Sequence, residues 1–412
     1  MAWRTDLERA IYRPFLIAAL WCTLTLGATF GAWNLLFIHL SLGEVPPSHQ
    51  WVHATFQLLG FIQLFIFGVA LTIVPRFLGA PLAHPRLARS ILFLVLAALA
   101  LRTYGALEDR VPGALLATAA AAALELAATL AFARVVWTTR RAAPPKREPF
   151  QVLLALGILG WVASALLLCA GAARAIAGRE AASAVAWNEP FYLCALFGAA
   201  FPFVQGVLLR AGPVLLGKEK NERAPLAMAL LAAGGTILCI LGAAPVGPGH
   251  RFLDAGLLLV SASAALAVRL RVAEGGPGDE TARIVRLALG FAGLFALLAS
   301  SFAVLDFPQG NAPRLLFDAA RHAFALGFLT LMIFGMAGRI VPAFAGRDLR
   351  WPRLRRWGTI LIACGAALRV VQALAAFTGW EWPLFVSGPS GLVAAAGVAL
   401  ASASILATLR AA

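Results

Sequence analysis

The stretch HAFALGFLTLMIFGMAGRIVPAFAG (His322–Gly346) is apolar enough to sit in lipid, yet it opens on a histidine and carries Arg339 near its far end. Most of it also occurs near the N-terminus. GFLTLMIFGMAGRIVPAFAGRDLRWPRL (327–354) lies without a gap on GFIQLFIFGVALTIVPRFLGAPLAHPRL (60–87), with 16 of 28 positions identical. Such self-similarity marks an internal repeat, and the apolar length marks a membrane-spanning helix. A fainter copy, GAAFPFVQGVLLRAGPVLLG (198–217), keeps Gly198, Gly206, Pro213 and Gly217. These match Gly60, Gly68, Pro75 and Gly79 in the first copy and Gly327, Gly335, Pro342 and Gly346 in the last.

Outward from these copies the whole chain reads the same way. Hydrophobic residues make up 61% of the 412, charged residues 13%, and the mean hydropathy is +0.84. Twelve apolar runs between residues 14 and 410 each approach the ~20 residues that a spanning helix needs. The expected fold is therefore an all-α polytopic membrane protein embedded in the lipid bilayer. The net charge of +15 does not indicate nucleic acid, because the basic residues lie between apolar runs and not in one patch. No CxxC pair exists among the five cysteines, so neither a disulfide framework nor a zinc site is indicated.

The copies fall on spans 2, 6 and 10, and an offset of four helices keeps each in the same orientation. This divides the chain into three parallel four-helix units, approximately 14–137, 150–270 and 282–410. The connections on the side of the termini hold 23 Lys and Arg and the opposite connections 7, which predicts cytoplasmic termini in a cell inner membrane. Two glycines eight residues apart let a neighbouring helix or a flat ligand approach the backbone; either use fits the pattern. Arg339 and Arg210 occupy one repeat position near the cytoplasmic face, where snorkelling to water accounts for them.

Five of the six histidines, His39, His49, His53, His250 and His322, lie at or near the outer face; His84 is in a cytoplasmic loop. His39, His84 and His250 read as interfacial helix-end residues. His53 and His322 lie inside spans on the two most alike helices, at the same depth. Ionisable residues inside the membrane are functional candidates, and a neutral imidazole is a common haem ligand. In the repeat His322 falls on Thr55, so the two histidines are offset by two residues, about 200° of helix rotation. His53 and His322 are the candidate haem-iron ligands, with His49 a further metal candidate. Gly60 and Gly327 are candidate cradle positions. Arg321 is a candidate partner for a haem carboxylate, with a salt bridge to Asp318 as its alternative.

WVHATFQLLGFIQLFIFGVALTIVPRFLG resembles the first signature of the NnrS family, a His-Ala-His-Glu-like motif that leads into Gly-Phe and ends at Pro and Gly. RHAFALGFLTLMIFGMAGRIVPAFAGRDL is similar to its second signature, and RPFLIAALW (13–21) to its start. The resemblance implies a protein with haem b, and with copper as a second metal, tied to nitric oxide, denitrification stress or a redox partner. Thr55 stands where the motif has its second His and Phe56 at the Glu, so the copper expectation lacks two donors. Twelve helices with His on helices 2 and 10 also resemble the catalytic subunit of haem–copper oxidases, which hold a low-spin haem between those helices. Helices 6 and 7 have no His for the copper site of those enzymes, so no binuclear centre is expected. Two other classes stay open: a transporter without a cofactor, and a non-catalytic haem subunit of a respiratory complex.

Overall fold

The computed structural model describes residues 10–106, 112–145, 148–178, 185–216, 224–245, 249–268, 280–305 and 311–410. Twelve helices in it are long and apolar enough to cross a membrane: α1 Tyr12–His39, α2 Pro47–Leu78, α3 Pro85–Gly105, α4 Ala114–Arg141, α5 Phe150–Gly178 and α6 Asn188–Ala211 form the first half. The second half comprises α7 Pro225–Ala243, α8 His250–Val268, α9 Glu280–Val304, α10 Ala312–Ala345, α11 Pro352–Thr378 and α12 Trp382–Arg410. Proline opens α2, α3 and α11, where its missing N–H costs nothing. Helices α1 and α12 meet, Arg13 donating to the carbonyl of Arg410. The opposite end of the bundle, where α2 and α10 begin, is called distal below.

The repeat-bearing helices occupy the centre. The apolar windows of α2, α6 and α10 are 100, 83 and 72% buried, whereas no other helix exceeds 56%. A cavity of about 60 Å³ lies between all three, lined by Phe65 and Val69 of α2, Phe203 and Val204 of α6, and Met332 and Met336 of α10. Each of the three also widens into a π-helical stretch around its first repeat glycine: Phe56–Gln63, Cys194–Ala200 and Ala323–Thr330. Such widening inside a helix is frequent at functional sites.

The repeat reaches into the loops. Gly79 and Gly346 end α2 and α10 with φ of 67° and 64°, a left-handed turn that only glycine adopts without steric cost. Five residues later His84 and Trp351, both at φ 51°, precede Pro85 and Pro352. Gly217, the matching residue of the middle copy, lies outside the described residues.

Small residues set the helix spacing. A Cβ built on Gly160 would fall 2.0 Å from the carbonyl oxygen of Gly198, so α5 touches the α6 backbone. Gly256 and Gly235 join α7 to α8, and Gly358 and Gly397 join α11 to α12, in the same way. Replacing Gly160 by Ala has no room to relax and is expected to cost about 1–3 kcal/mol. Gly290 is exposed, with nothing within 4 Å, so Gly290→Ala is expected to be neutral. Thermal unfolding of both variants in detergent checks this; equal midpoints would show that the Gly160 contact does not set the α5–α6 spacing.

Candidate functional site

The distal end holds a group of charged and polar side chains on several helices. His53, in the second turn of α2, lies against α1. Its Nδ1 is 2.6 Å from the carbonyl oxygen of Gly27, and a Cβ on Gly31 would fall 2.5 Å from its ring. A carbonyl oxygen only accepts, so Nδ1 carries the proton and Nε2 keeps its lone pair. His322 on α10 is held alike, with Nδ1 2.9 Å from the carbonyl oxygen of Asp318 and 3.4 Å from its carboxylate. Neither Nε2 meets a hydrogen-bond partner among the described residues. Both side chains are half-buried.

Asp318 is the hub of the site. Arg369 of α11, 7% exposed, donates to its carboxylate, as does Gln372 at 2.8 Å. Arg369 also donates to the side-chain oxygen of Gln372 and, at 3.0 Å, to Nε2 of His39. Helix α11 breaks at Val371, between these two residues, which turns both toward α10. The sequence reading of His39 as a plain interfacial residue is thus corrected: it ends α1 as an acceptor in this network.

Arg321 is not left for a cofactor carboxylate. Its guanidinium reaches both carboxylate oxygens of Glu189 on α6, at 2.8 and 3.0 Å, and lies 3.7 Å from Asp318. It ties α10 to α6. Gly60 and Gly327 are also filled positions. A Cβ on Gly60 would meet Cys22 of α1 at 2.7 Å, and one on Gly327 would meet Phe291 of α9 at 2.4 Å. Both glycines let a neighbouring side chain approach the backbone. His49 stacks on Phe30 at 4.7 Å, with a buried Nδ1 that has no hydrogen-bond partner among the described residues. Arg210 pairs with Glu148 at 3.4 Å at the other end of the bundle.

Two further groups were not legible as partners from the sequence. Arg102 of α3 donates to Thr55 Oγ1 at 3.1 Å and to Asn188 Oδ1 at 2.7 Å. Deeper in the bundle Glu125 of α4, 1% exposed, accepts from Gln63 at 2.6 Å. The available signal was the rarity of charge: any charged residue inside an apolar span needs a partner. Among the described residues no three His, Cys, Asp or Glu side chains come together as a metal-ion site. A haem with two axial imidazoles needs no such cluster.

Removing one partner of the Asp318–Arg369 pair leaves the other charge buried. Asp318→Asn and Arg369→Gln are each expected to cost about 2–4 kcal/mol, and the double replacement less than their sum. A double-mutant cycle on thermal unfolding measures this; strict additivity would mean that the pair is not coupled.

The comparisons with known proteins bear on the chain as a whole. No curated protein matches it. Among solved structures it is similar to a heme–copper terminal oxidase dimer determined by cryo-EM, with a TM-score of 0.73 over 98% of this chain and 84% of that one. The identity is 12%, so the likeness is one of fold. The model of the NnrS protein family matches residues 9–411. With its apolar helices arranged as described and nearly its full length matched, the chain is a multi-pass membrane protein that belongs to the NnrS family.

Proposed function

We propose that the protein binds one haem b at the distal end of α2 and α10, with His53 and His322 as axial ligands, and that it serves electron transfer or nitric oxide handling. The observation that carries this reading is the tautomer. Each imidazole spends its Nδ1 proton on a carbonyl oxygen and presents an unpartnered Nε2 lone pair, the state in which imidazole ligates a metal. Membership of the NnrS family and the oxidase-like fold support it further. Bound there, the haem would supply one-electron exchange at its iron.

The roles of the chain's own residues follow from their contacts. Gly27 orients His53 through its carbonyl, and Gly31 leaves room for the ring. Asp318 orients His322, and Arg369 with Gln372 fixes Asp318. Arg321 and Glu189 hold α10 and α6 together beside the site. The same reading keeps three four-helix units, 14–137, 150–270 and 282–410, supported by the π-helical stretches of α2, α6 and α10. It keeps the termini in the cytoplasm of a cell with an inner membrane, on the bias of 23 basic residues against 7.

A visible spectrum of the purified protein tests the proposal. The expected result is a sharp reduced α band from a haem with two imidazole ligands. His322→Ala is expected to lose most of the haem, and His53→Ala to lose it or leave a high-spin, five-coordinate form. His84→Ala, at the other end of the bundle, is expected to leave the spectrum unchanged. A normal low-spin spectrum in the His53→Ala, His322→Ala double variant would sink the assignment and turn attention to His49.

A further inference from the structure

The gapless repeat does more than match helices; it pairs a complete charge site with an incomplete one. Extended in both directions, it carries Trp51 onto Asp318, Thr55 onto His322, Arg102 onto Arg369 and Gly105 onto Gln372. The register still holds at the far end, where Ala100-Leu101-Arg102 falls on Ala367-Leu368-Arg369. The two arginines thus stand at one place in two copies, but in different company. Arg369 has a carboxylate and an amide at positions where Arg102 has an indole and a hydrogen atom.

Arg102 makes its two side-chain bonds to the neutral oxygens of Thr55 and Asn188. Among the described residues no carboxylate pairs with it. Glu125 acts on it electrostatically, but that carboxylate bonds to Gln63 instead. A cavity of about 50 Å³ adjoins Arg102, and its lining includes Trp51, Thr55, Gly105 and Asn188. All four repeat positions that hold Asp318, His322, Arg369 and Gln372 in the other copy therefore border this space. The amide N–H groups of Asn188 and the hydroxyl proton of Thr55 have no acceptor among the described residues. The Tyr192 hydroxyl lies buried beside Arg102 and interacts with it, a third neutral oxygen at the guanidinium.

A guanidinium stays charged in a protein, and a charge within the membrane is costly until it is paired. We infer that this cavity binds one small monovalent anion, a carboxylate or oxyanion of a few heavy atoms, which does for Arg102 what Asp318 does for Arg369. The volume suits a small ligand: it exceeds the roughly 10–15 Å³ of such space that one water needs. The site is separate from the histidine pair. Thr55 reaches α3, whereas His53, two residues earlier and about 200° round the helix, faces α1. The inference does not rest on haem binding.

Equilibrium dialysis of the purified full-length protein against radiolabelled formate, at an ionic strength fixed with bulky gluconate, tests it. Saturable binding near one equivalent per chain is expected. Arg102→Gln should weaken it by about tenfold or more, since a charge-assisted bidentate contact is lost. Trp51→Asp places a carboxylate where α10 has Asp318 and should abolish binding in a folded protein; it decides the matter if Arg102→Gln does not fold. Absence of saturable binding, or undiminished binding in either variant, overturns the proposal. So does a wild type that binds nothing while Glu125→Gln binds formate, which would make Glu125 the counter-ion. Binding confined to haem-free protein would assign the place to a haem carboxylate and also overturn it.

Discussion

Packing α2, α6 and α10 against one another removes them from lipid, and that removal governs what their sequences can carry. A helix facing lipid has to be apolar along that face, because nothing there compensates a polar group. A helix buried among other helices is released from this rule. Gln63, Gln205, Asp318, His49, His53 and His322 all lie on these three helices. The same burial explains their aromatic content. Phe197, Phe201, Phe324 and Phe328 form one edge-to-face cluster between α6 and α10, reached by Phe295 of α9. Phe61 of α2 meets Phe334 of α10 at 5.8 Å. Rings fill the wide gaps that glycine and π-helical turns leave between backbones.

At the distal end the organising force changes from packing to charge pairing. Asp318 and Glu189 occupy one repeat position in the third and second copies, nine residues before Gly327 and Gly198. Asp318 finds its arginine within its own copy, on α11, whereas Glu189 finds Arg321 of the next copy. The first copy has Trp51 there and leaves Arg102 with neutral partners. The first and third copies thus share an arginine, Arg102 and Arg369, and differ in the acid. The result is a set of cross-links, α10–α11, α6–α10 and α3–α6, that closes the distal end of the bundle.

Much of the fold was legible because hydropathy and repetition are properties of long windows. The twelve apolar runs expected between residues 14 and 410 are realised as twelve helices between Tyr12 and Arg410. Side-chain partnerships were legible only where they were local. Asp318 beside Arg321 and His322 is one helical turn, visible as spacing. Arg369 and Glu189 meet these residues from other helices, and no spacing in the chain reports which helices touch. The glycines misled for a related reason. Gly60 and Gly327 signal close approach, which is correct, but the sequence does not say whether a ligand or a neighbouring side chain approaches. Cys22 and Phe291 do so here.

The position of Asp318 joins stability to histidine geometry. Its carbonyl and its carboxylate both face His322 one turn later, while its carboxylate also holds Arg369 and Gln372. Rotation of the Asp318 side chain would therefore disturb the imidazole and the α10–α11 contact together. His53 is fixed differently, by a backbone carbonyl and a glycine surface of α1, neither of which carries charge. One imidazole is thus held by electrostatics and the other by shape. The two imidazoles, alike in tautomer, thus differ in what surrounds Nδ1: a carbonyl alone for His53, a carbonyl and a carboxylate for His322.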